Sequence, residues 1–210
     1  MTPDPVARAA DLRLISLLFE RPTEARRRDV AALAAECPDL RDLAATFATL
    51  DEPSYVALFG PGGPVSPREA AYIGRGDPAR AMSEIKAFYE AFAYRPRQVE
   101  DPVDHVAVET GFASYLWLKE AYARAHGDTE AADVTAAARE KFIAGHLAIV
   151  AGGIATRLAS APAPELQSLA QALLARTGAK PLPESEIDGV VGEEEMSCGM
   201  CPEPEGPPRE

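Results

Sequence analysis

An all-α, single-domain helical bundle is the fold this sequence predicts, on three observations. Alanine is abundant while aromatic residues make up only 7% of the chain, a bias that favours helix, because alanine loses no side-chain entropy there and gives a sheet little to pack. Apolar residues recur at spacings of three and four from end to end. No stretch alternates with period two, and no internal repeat is visible. With 210 residues, 47% of them hydrophobic and 26% charged, the chain can bury a core that needs neither disulfides nor structural metal.

The elements follow in order. Val6, Ala10, Leu14, Leu17 and Leu18 form one stripe, and Val30, Leu33, Ala34 and Cys37 a second, with Thr23 as its N-cap. A third helix over Ala79 to Ala93 carries Met82, Ile85, Tyr89, Phe92 and Ala93 on one face. The segment Val103 to His126 is apolar around most of its circumference (Val106, Val108, Phe112, Leu116, Trp117) and reads as the central helix. Its expected start is Asp101 as N-cap, Pro102 at the first helical position and Asp104 at the third. After Gly127-Asp128 a long helix aligns Phe142, His146, Ile149 and Val150; a last one carries Leu166, Leu169, Ala170, Leu173 and Leu174 and stops at Gly178. The expected total is about seven or eight helices with short connections. Two stretches break the pattern. Phe59 to Arg75 holds Pro61, Gly62, Gly63, Pro64, Pro67 and Gly74 and reads as a long functional loop. The chain beyond Lys180 is rich in Pro, Gly and Glu, which predicts a helical domain over 1–180 and a disordered acidic tail over 181–210.

Charge narrows the function. The net charge is −12, and Pro183 to Glu210 holds nine acids against one base, Arg209, which leaves −8 in the tail and −4 in the body. No basic stripe exists to meet phosphate, so nucleic acid is excluded as a partner, and a cationic partner is favoured. The N-terminus carries Asp4, Arg8, Asp11 and Arg13 where a secretory signal would be apolar. The longest apolar run, Phe142 to Ala155, is interrupted by His146 and is shorter than the roughly 20 residues of a bilayer span. Three cysteines are too few for a disulfide framework. The expected setting is the cytoplasm, without stable membrane insertion.

Asp104-His105 is the pair most suggestive of chemistry, as an acid–base group or as a contact tuned by the aspartate. Helix neighbours point about 100° apart, however, and an acid in a first turn is favoured by the dipole alone. His146 on an apolar face reads as a hydrogen-bonded core histidine. His126 beside Gly127 reads as a helix-end cation. Cys198-Gly199-Met200-Cys201 has the spacing of half a metal site or of a redox pair. Closing a zinc site would require Cys37, a second chain or a client protein; otherwise these are two incidental thiols. No phosphate loop, dinucleotide fingerprint, G-x-S-x-G elbow or H-E-x-x-H is present, so the chain is read as a non-enzyme, and no cofactor is expected.

Three patches in order resemble a known family: Tyr55-Val56-Ala57-Leu58-Phe59 with the Gly/Pro loop and Pro67-Arg68-Glu69-Ala70-Ala71-Tyr72; Asp101-Pro102-Val103-Asp104-His105 with Glu109 and Phe112; and Phe142-Ile143-Ala144-Gly145-His146-Leu147. Over roughly Val6 to Ala159 they resemble the TorD, DmsD and NarJ group of redox-enzyme maturation chaperones. The resemblance implies an all-helical cytoplasmic protein, monomeric or homodimeric, that binds the apo catalytic subunit of a molybdopterin oxidoreductase, or its twin-arginine signal peptide, before cofactor insertion and export. It implies a client-binding region made of Tyr55, Leu58, Phe59, Pro64, Pro67, Glu69, Tyr72, Asp104 and His105. Many members carry tryptophan in the loop, whereas the one tryptophan here is Trp117. A second reading is a small metal-handling or thiol-redox protein centred on Cys198 and Cys201; a third is an enzyme using Asp104 and His105. If the tail assists an iron–sulfur or metal step on a client, Cys198→Ser with Cys201→Ser lowers the client's cofactor content in cells. Unaltered content removes that role.

Overall fold

The computed structural model describes residues 4–96, 101–161 and 163–187. Within them lie ten α-helical segments: α1 Pro5–Leu18, α2 Glu24–Ala34, α3 Arg41–Thr49, α4 Glu52–Phe59, α5 Pro78–Ala91, α6 Val106–Ala125, α7 Thr129–Phe142, α8 Ala148–Ser160, α9 Pro164–Thr177 and α10 Glu184–Ile187. A π turn, Ile143–Leu147, joins α7 to α8, so these two run on as one helix. Among the described residues the sole β pairing is an isolated antiparallel bridge between Arg68 and His105. The predicted all-helical fold is therefore the observed one. The short α3, α4 and α10 bring the number slightly above that expected from the longer periodic stretches.

Local chemistry explains most of the boundaries. The Thr23 side chain accepts from the Arg26 N–H (3.3 Å), as an N-cap should. Gly178 ends α9 at φ +72°, a conformation glycine adopts without steric cost. One predicted boundary is corrected. Helix α6 begins at Val106, not at Pro102, and its cap is His105, whose Nδ1 accepts from the Ala107 N–H (3.2 Å). The stretch before it pairs with the Pro/Gly loop instead, because Asp104 has a stronger partner there than a helix end offers.

Helix α6 is central. It packs on α1 on one side and α7 on another, while α8 carries α9 and α1 also touches α9. Ser16 and Ser114 stitch α1 to α6 by donating to the Ala107 and Ala9 carbonyls, each at 2.7 Å. An aromatic cluster of Phe88, Tyr89, Tyr94, Phe112 and Phe142 fills the space beside α6, with Phe112 edge-on to Phe142 at 4.7 Å. Phe112, Phe142, Leu116 and Leu147 are all fully buried, each contributing about 1.5–3 kcal/mol by removal from water. On the far side of α6, Arg139 stacks on Trp117 (3.4 Å to the ring centroid) and pairs with buried Glu120. Charge pairing and stacking together satisfy that guanidinium away from water.

The helix Thr129–Ser160 contains an 18-residue window with mean hydropathy 1.5, so by length and composition it is long enough to cross a bilayer. The apolar run alone suggested otherwise, because the π turn extends the helix past it on both sides. Over half of that window is buried against the rest of the protein, as in the core helix of a bundle.

Packing also continues past 180, where the tail was expected to start. The Leu182 N–H donates to the Gly152 carbonyl (3.2 Å), Thr156 donates to the Leu182 carbonyl (2.6 Å), and Ile187 is buried. Residues 188–210, with Cys198 and Cys201, lie outside the described residues. Gly152 and Gly153 make this face of α8 flat enough to be covered. A Cβ at Gly152 would collide with the Lys180 carbonyl, and one at Gly153 would lie inside the Tyr72 ring. Gly153→Ala is therefore expected to cost about 1–3 kcal/mol in urea denaturation. An unchanged midpoint would mean that Tyr72 does not need this close approach.

Candidate functional site

The site begins at α4. Asp51 caps it by accepting from the Ser54 N–H (2.7 Å), and three of its apolar residues then turn inward. Tyr55, Leu58 and Phe59 are buried; Tyr55 donates to the Phe19 carbonyl (2.8 Å) and Phe59 meets the Phe19 ring edge-on at 6.1 Å. Burial pushes the Tyr55 phenol well above its ordinary range, so it stays a donor. Gly62, at φ +81°, reverses the chain, and the Val65 N–H returns to the Leu58 carbonyl (3.2 Å). Pro64 is exposed at this turn and Pro67 is half-buried.

The loop is then sewn to the start of α6. The Val106 N–H donates to the Pro67 carbonyl (2.8 Å) and the Glu69 N–H to the Asp104 carbonyl (2.9 Å), on either side of the Arg68–His105 bridge. The Asp104 carboxylate accepts from Arg68 Nε (3.1 Å) and Nη2 (3.0 Å), and from the Ala70 N–H (3.3 Å). Such a forked, charge-assisted pair is among the strongest side-chain hydrogen bonds. His105 is not paired with Asp104: its Nδ1 is committed to the Ala107 N–H. Burial lowers its pKa, opposed by Asp101 and Asp104, while Arg68 lowers it further. A neutral ring is what an Nδ1 acceptor requires.

Glu69 is the second stitch. Its carboxylate, 1% exposed, meets His146 Nδ1 at 3.2 Å. His146 sits in the π turn, flanked by the rings of Phe88 (5.9 Å) and Phe142 (5.4 Å). It is thus the hydrogen-bonded core histidine the sequence suggested, and the π turn is what aims it at the loop. Glu109, one turn into α6 and fully buried, receives no hydrogen bond on either oxygen. Burial first, then the charges of Glu69 and Asp104, raise its pKa well above the carboxylate range. Tyr72 completes the loop's anchorage, donating to the Ser66 carbonyl (2.7 Å) with its ring on Gly153.

The structure thus brings the nine expected residues into one connected region, with most of them buried in it. Sequence reasoning gave no role to Arg68, Glu109, Gly152 or Gly153. Glu109 had a signal, since a carboxylate on a helix apolar around its circumference must be paired or neutral; the partner of Arg68 had none. Beside this region, Tyr72, Ile73, Arg75, Ile149, Leu182 and Glu186 line an open groove of about 490 Å³. Among the described residues no group of three His, Cys, Asp or Glu side chains is placed to hold a metal ion. The arrangement ties a loop to three helical elements, and the ring nitrogen and carboxylate oxygens best suited to proton transfer are committed to internal hydrogen bonds.

The neutral Glu109 sets a pH dependence. Its folded pKa lies above the ordinary value of about 4.3, so the folded chain keeps a proton that the unfolded chain loses, and stability falls as pH rises above that value. Glu109→Gln removes this loss. Its stability relative to wild type is expected to grow between pH 5 and 8, by at most about 1.4 kcal/mol per pH unit. Parallel urea midpoints across that range would show that Glu109 holds no extra proton.

A family model described as nitrate reductase delta subunit matches residues 20–149, more than half of the chain. No curated protein matches the chain. A solved structure described as a redox enzyme maturation protein from Archaeoglobus fulgidus is similar at 23% identity, over 63% of this chain and 91% of that one, with a TM-score of 0.46. The region matched by the family model contains the α4 helix, the stitched loop, the Asp104–His105 turn and the π turn. This chain belongs to the nitrate reductase delta subunit family, the NarJ/TorD-type maturation chaperones of redox enzymes, which are not themselves catalysts.

Proposed function

We propose that this protein is a cytoplasmic assembly chaperone that binds the apo catalytic subunit of a molybdopterin-containing oxidoreductase before cofactor insertion. Where that client carries a twin-arginine signal peptide, the chaperone holds it back from export. The observation that carries this reading is the union of the Pro/Gly loop, the Asp104–His105 turn and the π turn in one hydrogen-bonded unit, inside the part of the chain that matches the family.

The chemistry of such a client agrees with what this unit offers. A signal of that kind has a cationic end and an apolar stretch, so its receptor needs carboxylates beside apolar surface. Asp104 and Glu69 supply the carboxylates. Pro64 and the half-buried Pro67 lie on the loop they hold, and Tyr72 and Ile73 face the adjoining groove. Tyr55, Leu58 and Phe59 support the loop from beneath, so their part in client binding is to fix its shape.

Affinity capture from the native host tests the proposal. Wild type is expected to recover a molybdoenzyme catalytic subunit, and an Asp104→Ala, His105→Ala variant with the same helical circular dichroism to recover less. Recovery of no such subunit would sink the chaperone assignment, and equal recovery would move the binding site away from this pair.

A further inference from the structure

The Arg68–Asp104 pair is lopsided in a way that a purely structural ion pair does not require. The Asp104 side chain is 1% exposed, whereas that of Arg68 is 41% exposed. The carboxylate lies inside and the guanidinium reaches it from the solvent side. Arg68 belongs to a loop, and that loop is attached independently of its side chain: the Pro67 and Asp104 carbonyls, the Tyr72 hydroxyl and the Glu69 carboxylate all hold it. The Arg68 side chain can therefore swing out while the backbone stays in place. What it would leave behind is a carboxylate still oriented by the Ala70 N–H. Close by is Glu109, fully buried, with neither oxygen receiving a hydrogen bond. Three carboxyl groups, Asp104, Glu69 and Glu109, influence one another here; the Arg68 guanidinium meets Asp104 and the His146 ring meets Glu69. Carboxyl groups outnumber the basic side chains that meet them here, and the spot suits a cation.

We propose that Asp104 is a receptor for an arginine of the client, and that Arg68 occupies it as an internal stand-in until the client's guanidinium displaces it. The geometry selects the chemistry. Both Nε and Nη2 of Arg68 engage the carboxylate, a fork that guanidinium matches and that the single point charge of an ammonium does not. In the resting protein the stand-in keeps a buried carboxylate paired. When a client arrives, one guanidinium replaces another, so the site is never left as an unpaired buried charge. Binding is weakened by the fraction of time Arg68 holds the site, which is a selectivity device: a cation unable to outcompete a forked arginine does not enter. The identity of the partner rests on the chaperone reading above; the guanidinium receptor itself does not.

The test is a titration of wild type and Arg68→Ala with a fluorescent peptide bearing two adjacent arginines ahead of an apolar stretch, and with its Lys-Lys counterpart. With the internal competitor gone, Arg68→Ala is expected to bind the arginine peptide about tenfold more tightly than wild type, with a larger preference over the lysine peptide. Equal or weaker binding by a folded Arg68→Ala would overturn the proposal, because a merely structural Arg68 predicts one of those results. Should Arg68→Ala lose its helical circular dichroism, Arg68→Lys takes its place: a single-point competitor is expected to give an intermediate gain, and no gain again overturns the idea. If the peptide result fails while wild type still captures a molybdoenzyme subunit from the host, the stand-in is refuted and the chaperone reading survives. If capture fails while Arg68→Ala gains arginine affinity, the receptor stands and the client assignment falls.

Discussion

The first turn of α6 is buried together with carboxyl groups, and much of the surrounding architecture meets the hydrogen-bonding demand that this creates. Asp104 and Glu109 lie within five residues of each other, at 1% and 0% exposure. Burying a carboxylate without a partner costs far more than the protein's net stability could absorb. Each acid is therefore resolved differently. Asp104 takes a guanidinium from the loop, Glu69 takes an imidazole from the π turn, and Glu109 keeps its proton. These solutions come from three separate stretches of chain, so satisfying the charges also assembles the tertiary structure there.

The apolar packing makes those contacts possible. Helix α6 is wrapped by α1 and α7, and serines rather than large side chains tie α1 to it, keeping the axes close. The π turn interrupts the regular rotation of the long helix just where His146 must face Glu69, between the rings of Phe88 and Phe142. Two adjacent glycines on α8 then let the loop, through Tyr72, and the segment after α9 lie flat on the bundle. Loop, π turn and C-terminal segment meet on one side, next to the groove between Ile73 and Leu182.

That division of labour suits a binding protein better than a catalyst. A catalytic pair needs groups that are free to exchange protons with a substrate. Here His105 caps a helix and Asp104 holds an arginine. What stays open to a partner is the loop's outer edge and the guanidinium of Arg68, with acids concentrated behind them. Membership of a maturation-chaperone family agrees with this arrangement.

Helix content, the central helix, the Thr23 and Gly178 boundaries and the core character of His146 were legible in the residues alone, because periodicity, capping and burial of apolar faces are local or nearly local in the chain. The start of α6 was not. Asp101 and Pro102 carry the right local signal, but Asp104 finds Arg68, 36 residues earlier, and a forked ion pair outweighs a helix-end preference. Likewise Gly152 and Gly153 look like helix-weakening residues until Lys180 and Tyr72 are seen on top of them. The extent of packing beyond 180 was equally hidden, since Leu182 and Ile187 are isolated apolar residues among prolines and acids. Sequence by itself determined the all-helical class, the longer helices and their apolar faces. Only the tertiary structure decided which charge meets which, because pairing across tens of residues depends on where the bundle places side chains that share no local pattern.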